Sequence, residues 1–293
     1  TTLVEVCPWL PNVPTTERLH VSEVSAFVLT EQEAPAPPDR APTAEAEAVA
    51  GLIREIVQDG DTVQIGAGRT ATFLGVLGAF DGKRDLGWHS EITPRGIVPL
   101  MMDGTFNSTR KNIDRGVHIT TTISARDDSE REWLEHDPPV ETRAVREVNA
   151  IQTISAIERM TAINNAFQVD LTGQICSESL GTTIYNGTGG QPEFHIGAFI
   201  APGGKAITVL PSATTGGVIS RIVPKISDGS YVTVPRMFAD YVVTEYGIAQ
   251  LAGRSQRQRA KELIAVAHPD HRAELRAASK TVFYPSGVSS AVE

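Results

Sequence analysis

The chain has 293 residues, 41% hydrophobic and 21% charged, with a net charge of −9 and a pI near 5.3. This is the composition of an ordinary globular protein, and its acidic balance argues against a nucleic-acid or anionic-membrane partner. No apolar run approaches the ~20 residues of a membrane span, and no secretion signal is visible at the start. The two cysteines, Cys7 and Cys176, lie far apart and in no metal-binding spacing. A reduced, cytoplasmic protein without a metal is therefore expected.

In chain order, residues 1–34 hold two short apolar runs, 3–7 and 24–29. Proline then recurs across 33–42, where its fixed φ and missing N–H favour an extended linker. This divides the chain into a first part, 1–40, and a main domain, 41–293. Thr43 caps a helix whose Val49, Leu52, Ile53, Ile56 and Val57 follow the i, i+3, i+4 spacing of a buried face. A strand over Thr62–Ile65 meets a glycine turn, Gly66 and Gly68. Phe73, Leu74, Val76, Leu77 and Phe80 then suggest a helix, and a second strand over 86–90 delivers Glu91. Ile97–Met102 reads as helix, 117–123 as strand, 130–136 as helix and 140–144 as strand. The run 160–171 is apolar and strand-like. A second glycine cluster, Gly187-Thr188-Gly189-Gly190, follows within 182–190. Strands are expected over 205–210, 218–226, 230–234 and Tyr241–Thr244, and helices over 255–267 and 269–279. Alternating strands and helices from Thr43 onward predict an α/β fold, an open, largely parallel sheet flanked by helices.

The first glycine turn admits two chemical readings. Gly66-Ala67-Gly68-Arg69-Thr70-Ala71 matches the G-x-G-x-x-A dinucleotide fingerprint between a strand and a helix, and Glu91 follows 23 positions after Gly68. On that reading the chain is an NAD(P)-dependent oxidoreductase. On the other, the N–H of Ala67 stabilises developing negative charge beside Glu91, which acts as a covalent nucleophile. The same spacing also fits a plain strand-to-helix turn that needs glycine. His268-Pro269-Asp270-His271 reads as a helix start rather than a metal site. Arg254, Arg257, Arg259 and Lys261 read as a solvated basic face.

The segment LGWHSE ending in Glu91, followed by Gly96, resembles the active-site segment of the acetyl-CoA hydrolase/transferase family, of the 4-hydroxybutyrate CoA-transferase type within the family I CoA-transferases. DGDTVQIGAG, AINNAFQVDLTGQICSESLGT, YNGTGGQPEF, SRIVP and YVVTEYGIAQLAGRSQRQRAKELIAVAHPDHR follow in the family's order. The resemblance implies a CoA-transferase (NagB/RpiA-like) fold and ping-pong transfer between an acyl-CoA and a small carboxylic acid. Coenzyme A is then a substrate, and no metal is needed. It further implies Glu91 as the nucleophile, with the N–H groups of Ala67 and Gly190 as oxyanion donors. Gly66, Gly68, Gly187, Gly189, Glu245 and Asn149 are implied around CoA and substrate. The family's habit implies a homodimer or larger assembly and a preceding domain, of which residues 1–40 would be the tail and connector. A CoA-binding module without turnover is the non-enzyme alternative.

Overall fold

The computed structural model describes residues 1–31, 41–136 and 138–283. Most of the expected proline-rich linker lies outside the described residues. Strands β1 (Leu3–Val6) and β2 (Ala26–Leu29) pair in parallel as a small ribbon of their own. Between them Thr15 bridges to Thr142, tying the N-terminal stretch to the main sheet.

Helix α1 (Ala44–Ile56) starts at its expected cap. Thr43 Oγ1 accepts the Ala46 N–H at 3.4 Å, which pairs one of the donors a helix start leaves free. Ala46, Val49, Ala50, Ile53 and Ile56 are buried along one face. Strand β3 (Thr62–Ile65) follows, buried throughout. Strand β4 (Gly87–Ile92), helix α2 (Ile97–Met102), β5 (His118–Thr122), α3 (Asp128–Glu135) and β6 (Val140–Thr142) carry the chain to one edge of the sheet. Helices α4 (Val145–Val148) and α5 (Ile151–Ala156) bring it back, and β7 (Met160–Asn165) enters on the opposite side of β3. The short strands β8 (Gln168–Asp170), β9 (Ile175–Cys176), β10 (Ser179–Leu180) and β11 (Thr183–Ile184) belong to smaller sheets. Helix α6 (Gln191–Ile200), β12 (Lys205–Val209), β13 (Ile222–Val223), β14 (Tyr241–Thr244), β15 (Gly247–Gln250), α7 (Gln256–Val266) and α8 (Arg272–Phe283) complete the described chain.

The main sheet has the order β15-β14-β12-β7-β3-β4-β5-β6. Every neighbouring pair is parallel except β14 with β15. This is the open, largely parallel α/β sheet that the alternation of elements predicts. From β3 the chain builds toward β6, and from β7 it builds toward β14. In open α/β sheets, ligands bind beyond the carboxyl ends of strands where the direction of building reverses. Here that place is β3 and β7. The β3–β4 pairing is also short, with register partners Thr62–Gly87 and Val63–Trp88. Beyond it the Ser90 hydroxyl touches the Ile65 backbone at 3.4 Å, and a cleft opens between the two strand ends.

The base of β4 is firmly held. Trp88 is fully buried and meets Phe106 edge-to-face with ring centroids 5.5 Å apart. The Lys111 ammonium, 3% exposed, donates to Trp88 O at 3.2 Å and to Val117 O at 2.8 Å.

Four local expectations are corrected. The segment after Gly68 is not an α-helix but one 3-10 turn over Ala71–Phe73 followed by successive turns. Gly78 and Gly82 adopt φ of +73° and +74°, conformations that end a right-handed helix. The apolar run 160–171 splits into β7 and β8, which lie in different sheets. Of the strands expected over 218–226 and 230–234, only Ile222–Val223 forms one. Arg259 is 8% exposed rather than solvated, and its guanidinium donates to Arg236 O.

Candidate active site

Residues 89 and 91 lie two apart on β4, so their side chains leave the same face of the strand. Both reach the end of α4. The His89 Nε2 proton goes to Val148 O at 2.8 Å, and the next residue, Asn149, donates from Nδ2 to Glu91 Oε2 at 2.7 Å. His89 is fully buried, and burial first, with the Lys111 charge second, pushes its pKa down to about 4. The ring is therefore neutral near pH 7, and its role is to hold the backbone that carries Asn149. Glu91 Oε2 is thus anchored, while Oε1 makes no hydrogen bond to the described residues.

Glu91 opens into a cavity of about 500 Å³ at the carboxyl ends of β3, β4, β7 and β12. The turn Gly66–Thr70 forms one wall and the cluster Gly187–Gly190 another. A Cβ placed on Gly190 would collide with Glu91 Oε2 and Asn149 Nδ2, so the carboxylate lies directly against that glycine. Six of the glycine-turn residues named from sequence (Gly66, Ala67, Gly68, Gly187, Gly189 and Gly190) line this one cavity together with Glu91, and Asn149 bonds to Glu91. Glu245 is not among the lining residues. It sits in the turn between β14 and β15, and its carboxylate accepts from Ser212 N at 2.9 Å and Ser212 Oγ at 2.5 Å. Ser212 lies between Pro211 and Ala213, which do line the cavity.

The backbone donors of the first turn divide in a useful way. Gly66 N–H is used by Ile163 O at 2.8 Å and Gly68 N–H by Thr72 Oγ1 at 3.1 Å. The Ala67 N–H between them donates to no described residue, and the same holds for Gly190 N–H. Two free main-chain donors therefore border the cavity that holds Glu91. Asn149 Oδ1 and Gln191 Nε2 are also buried without a hydrogen-bond partner. Leaving such a group unpaired costs about 1–3 kcal/mol, and of the two residues only Gln191 lines the cavity.

The turn is set by two residues the sequence reading passed over, Asn164 and Asn165 at the end of β7. Asn165 Nδ2 donates to Ala67 O at 3.2 Å, and its Oδ1 accepts from Thr70 N at 3.2 Å and Ala71 N at 3.4 Å. The Asn164 amide exchanges two hydrogen bonds with Gln64, at 3.1 and 2.9 Å. Side chains at Gly66 or Gly68 would collide with Asn164 or Asn165, which is why both positions are glycine. The signal was available in the sequence, since a polar pair ends an otherwise apolar strand, MTAINN. The dinucleotide fingerprint, by contrast, requires a helix to follow this turn, and none does.

Residues 131–279 match the acetyl-CoA hydrolase/transferase C-terminal domain. The chain is 37% identical, over 278 residues, to the succinyl-CoA:cyclohexane-1-carboxylate CoA transferase of Geobacter metallireducens, covering 95% of this chain and 63% of that protein. Among solved structures, RipA from Yersinia pestis superposes with a TM-score of 0.86 at 34% identity, over 96% of this chain and 63% of RipA. The 4-hydroxybutyrate CoA-transferase of Porphyromonas gingivalis gives a TM-score of 0.77 at 28% identity, over 96% of this chain and 66% of that one. The chain thus spans about three fifths of the Geobacter relative's length. With a matching domain, ordered motifs and a shared fold, the chain belongs to the acetyl-CoA hydrolase/transferase family.

Proposed function

We infer that the protein transfers coenzyme A between an acyl-CoA thioester and a small carboxylic acid, with Glu91 as the covalent carrier. In the first step Glu91 Oε1 attacks the thioester carbonyl, the carbon–sulfur bond breaks, and CoA leaves as a thiolate. The product is a mixed anhydride between the acyl group and Glu91. The thiolate then attacks the glutamyl carbonyl and the original acid departs as a carboxylate, leaving a glutamyl-CoA thioester. The acceptor carboxylate reverses both steps. Attack by water in place of the acceptor turns the same site into a hydrolase. No proton is gained or lost in the transfer cycle, so it does not depend on a general base, in keeping with a neutral, buried His89.

The observation that carries this reading is the Glu91 carboxylate, anchored through one oxygen and set against Gly190 within the cavity. Each carbonyl addition builds an oxyanion. The free N–H groups of Ala67 and Gly190 are suited to receive it, and one such donor contributes about 3–4 kcal/mol. Gly66, Gly68, Gly187 and Gly189 keep the walls low for the CoA arm. Two unpaired cysteines and the net charge of −9 fit a cytoplasmic protein acting on small molecules, and we read it as a homo-oligomer, without a nucleic-acid or membrane partner. Among the described residues no helix is long and apolar enough to cross a membrane.

Incubation with acetyl-CoA followed by borohydride or hydroxylamine tests the mechanism. A mass change confined to the peptide containing Glu91, and absent in Glu91→Ala, is expected. Undiminished transfer by Glu91→Ala would overturn the assignment.

A further inference from the structure

Two guanidinium groups share the cavity with Glu91 and have no role in the acyl-transfer steps. Arg69 follows the first glycine turn, and Arg221 reaches in beside β7 by donating from one terminal nitrogen to Phe167 O at 3.1 Å. Among the described residues neither has a carboxylate at ion-pair distance. The Arg221 Nε is buried without a hydrogen-bond partner. Burial, and then the like charge of Arg69, disfavours the protonated form of Arg221. The other carboxylate lining this space, Glu45, is held by Thr43 at the start of α1. Like charges brought together in a partly desolvated cleft without a counterion are an arrangement that an anionic ligand stabilises.

Position narrows the anion. Glu91 is on β4, Arg69 follows β3 and Arg221 is bound beyond the end of β7, and these strands are neighbours in that order. Two strand spacings separate β4 from β7, about 10 Å across the sheet. A short diacid with one end at Glu91 places its second carboxylate within reach of guanidinium groups at that separation. The phosphates of CoA lie beyond the whole pantetheine arm, many more bonds from the reacting carbonyl than the second carboxylate of a short diacid. Guanidinium forks also match carboxylate geometry, each able to make two parallel N–H···O bonds.

We propose that Arg69 and Arg221 form the subsite for the remote carboxylate of the acyl group, so that the protein selects short dicarboxylic acids and their mono-CoA thioesters over monocarboxylic acids of equal length. The proposal rests on Glu91 as the acyl carrier, but its test separates the two. Succinate and butyrate are titrated into the protein alone, with binding read by thermal shift, and are then compared as acceptors with acetyl-CoA as donor. Succinate is expected to bind at least tenfold more tightly than butyrate, and the ratio of kcat/KM for succinate over butyrate to exceed tenfold. Arg69→Gln and Arg221→Gln each lower both ratios at least tenfold, with Arg221→Lys intermediate. Arg69 is exposed, so its variant tests the proposal even if Arg221→Gln folds poorly. Ratios unchanged in the variants overturn the subsite. So does equal loss for both acids with weaker binding of free CoA, which would mark a phosphate site instead. If the wild-type protein transfers CoA to neither acid and acetyl-CoA leaves no adduct on Glu91, the mechanism on Glu91 fails, and the binding ratios alone decide the subsite.

Discussion

Gly190→Ala separates catalytic geometry from stability. Gly190 has φ −85° and ψ 7°, a conformation open to alanine, so the substitution introduces no backbone strain. The new methyl group would sit closer than 3.0 Å to both Glu91 Oε2 and Asn149 Nδ2. Both are the ends of side chains that can rotate away, so the folding penalty falls at or below the low end of the ~1–3 kcal/mol typical of overpacking. A loss of that size corresponds to a few degrees in melting temperature. The carboxylate, however, must move by roughly an ångström, and a misplacement on that scale costs about 10²-fold in rate, or about 2.7 kcal/mol of barrier. The assay is single-turnover formation of the glutamyl-CoA adduct from acetyl-CoA, run beside thermal unfolding. Gly51→Ala in α1 serves as the control, since a Cβ there meets nothing within 4 Å and an added methyl in a helix stabilises by up to about 1 kcal/mol. Wild-type adduct formation by Gly190→Ala, or a collapse in melting temperature that accounts for the lost rate, would refute the argument.

Asn165→Ala removes the donor to Ala67 O and the acceptor for Thr70 and Ala71. It should lower stability by about 1–2 kcal/mol and slow transfer at least tenfold, whereas Asn165→Asp keeps the acceptor but sets a carboxylate oxygen against Ala67 O, so it recovers only part of the stability and not the rate, as urea melts and kinetics will show. Asp61 is fully buried and pairs with Lys205 at 2.7 Å and Arg159 at 2.8 Å. Asp61→Asn should cost roughly 3 kcal/mol in urea unfolding, while Asp228→Asn, breaking an exposed pair with Lys225, should change it by under about 0.5 kcal/mol. Acid should destabilise the fold before the usual carboxylate range. His89, His195 and His118 are buried with pKa values pushed down from 6.5 to about 4, 4 and 3 by desolvation. A depressed folded pKa means that the unfolded chain binds the proton first, so this stability is complete above pH 6.5 and drains away as pH falls toward 4. Burial lifts Asp240 to about 6, which acts in the opposite sense over the same window. Three histidines less one carboxylate give a slope of at most about 3 kcal/mol per pH unit, and stability that is flat from pH 6.5 to 4.5 would contradict the assignment of these rings as neutral.

Much of this architecture was legible because it is local. The spacing in α1, the cap at Thr43 and the β-branched runs of β3 and β14 each specify their element without help from distant residues. The glycine-rich segment after Gly68 departs from its helical apolar spacing because Gly75 and Gly78 each cost a helix about 1 kcal/mol, and spacing alone ignores that cost. Helices α4, α5 and α6 escaped notice. The first two are short, and α6 begins at a glycine without a side-chain cap. For the site, the strand-end position of Glu91 could be read directly. Its relation to Asn149 spans 58 residues and depends on α4 folding back over β4. Asn165 reaches 98 residues to Ala67, and Arg221 enters the cavity only because β13 lies beside β8. Contacts of that kind follow from topology, which periodicity does not encode.

The choice of a neutral amide beside Glu91 is chemically consequential. A guanidinium or ammonium at 2.7 Å would hold the carboxylate equally well, but the charge would stabilise its anionic form and draw electron density from the oxygen that must attack. Asn149 fixes the side-chain rotamer through Oε2 and adds no net charge, and Oε1 is left without a hydrogen bond to the described residues. The two cavity arginines are displaced toward β3 and β7, away from this bond. His89 contributes to the same end, because a protonated imidazole on the same face of β4 would bring a full positive charge near Glu91, and burial keeps the ring neutral. Anchoring is thus delegated to amides and main-chain groups, while the positive charges stand where an incoming anion would meet them.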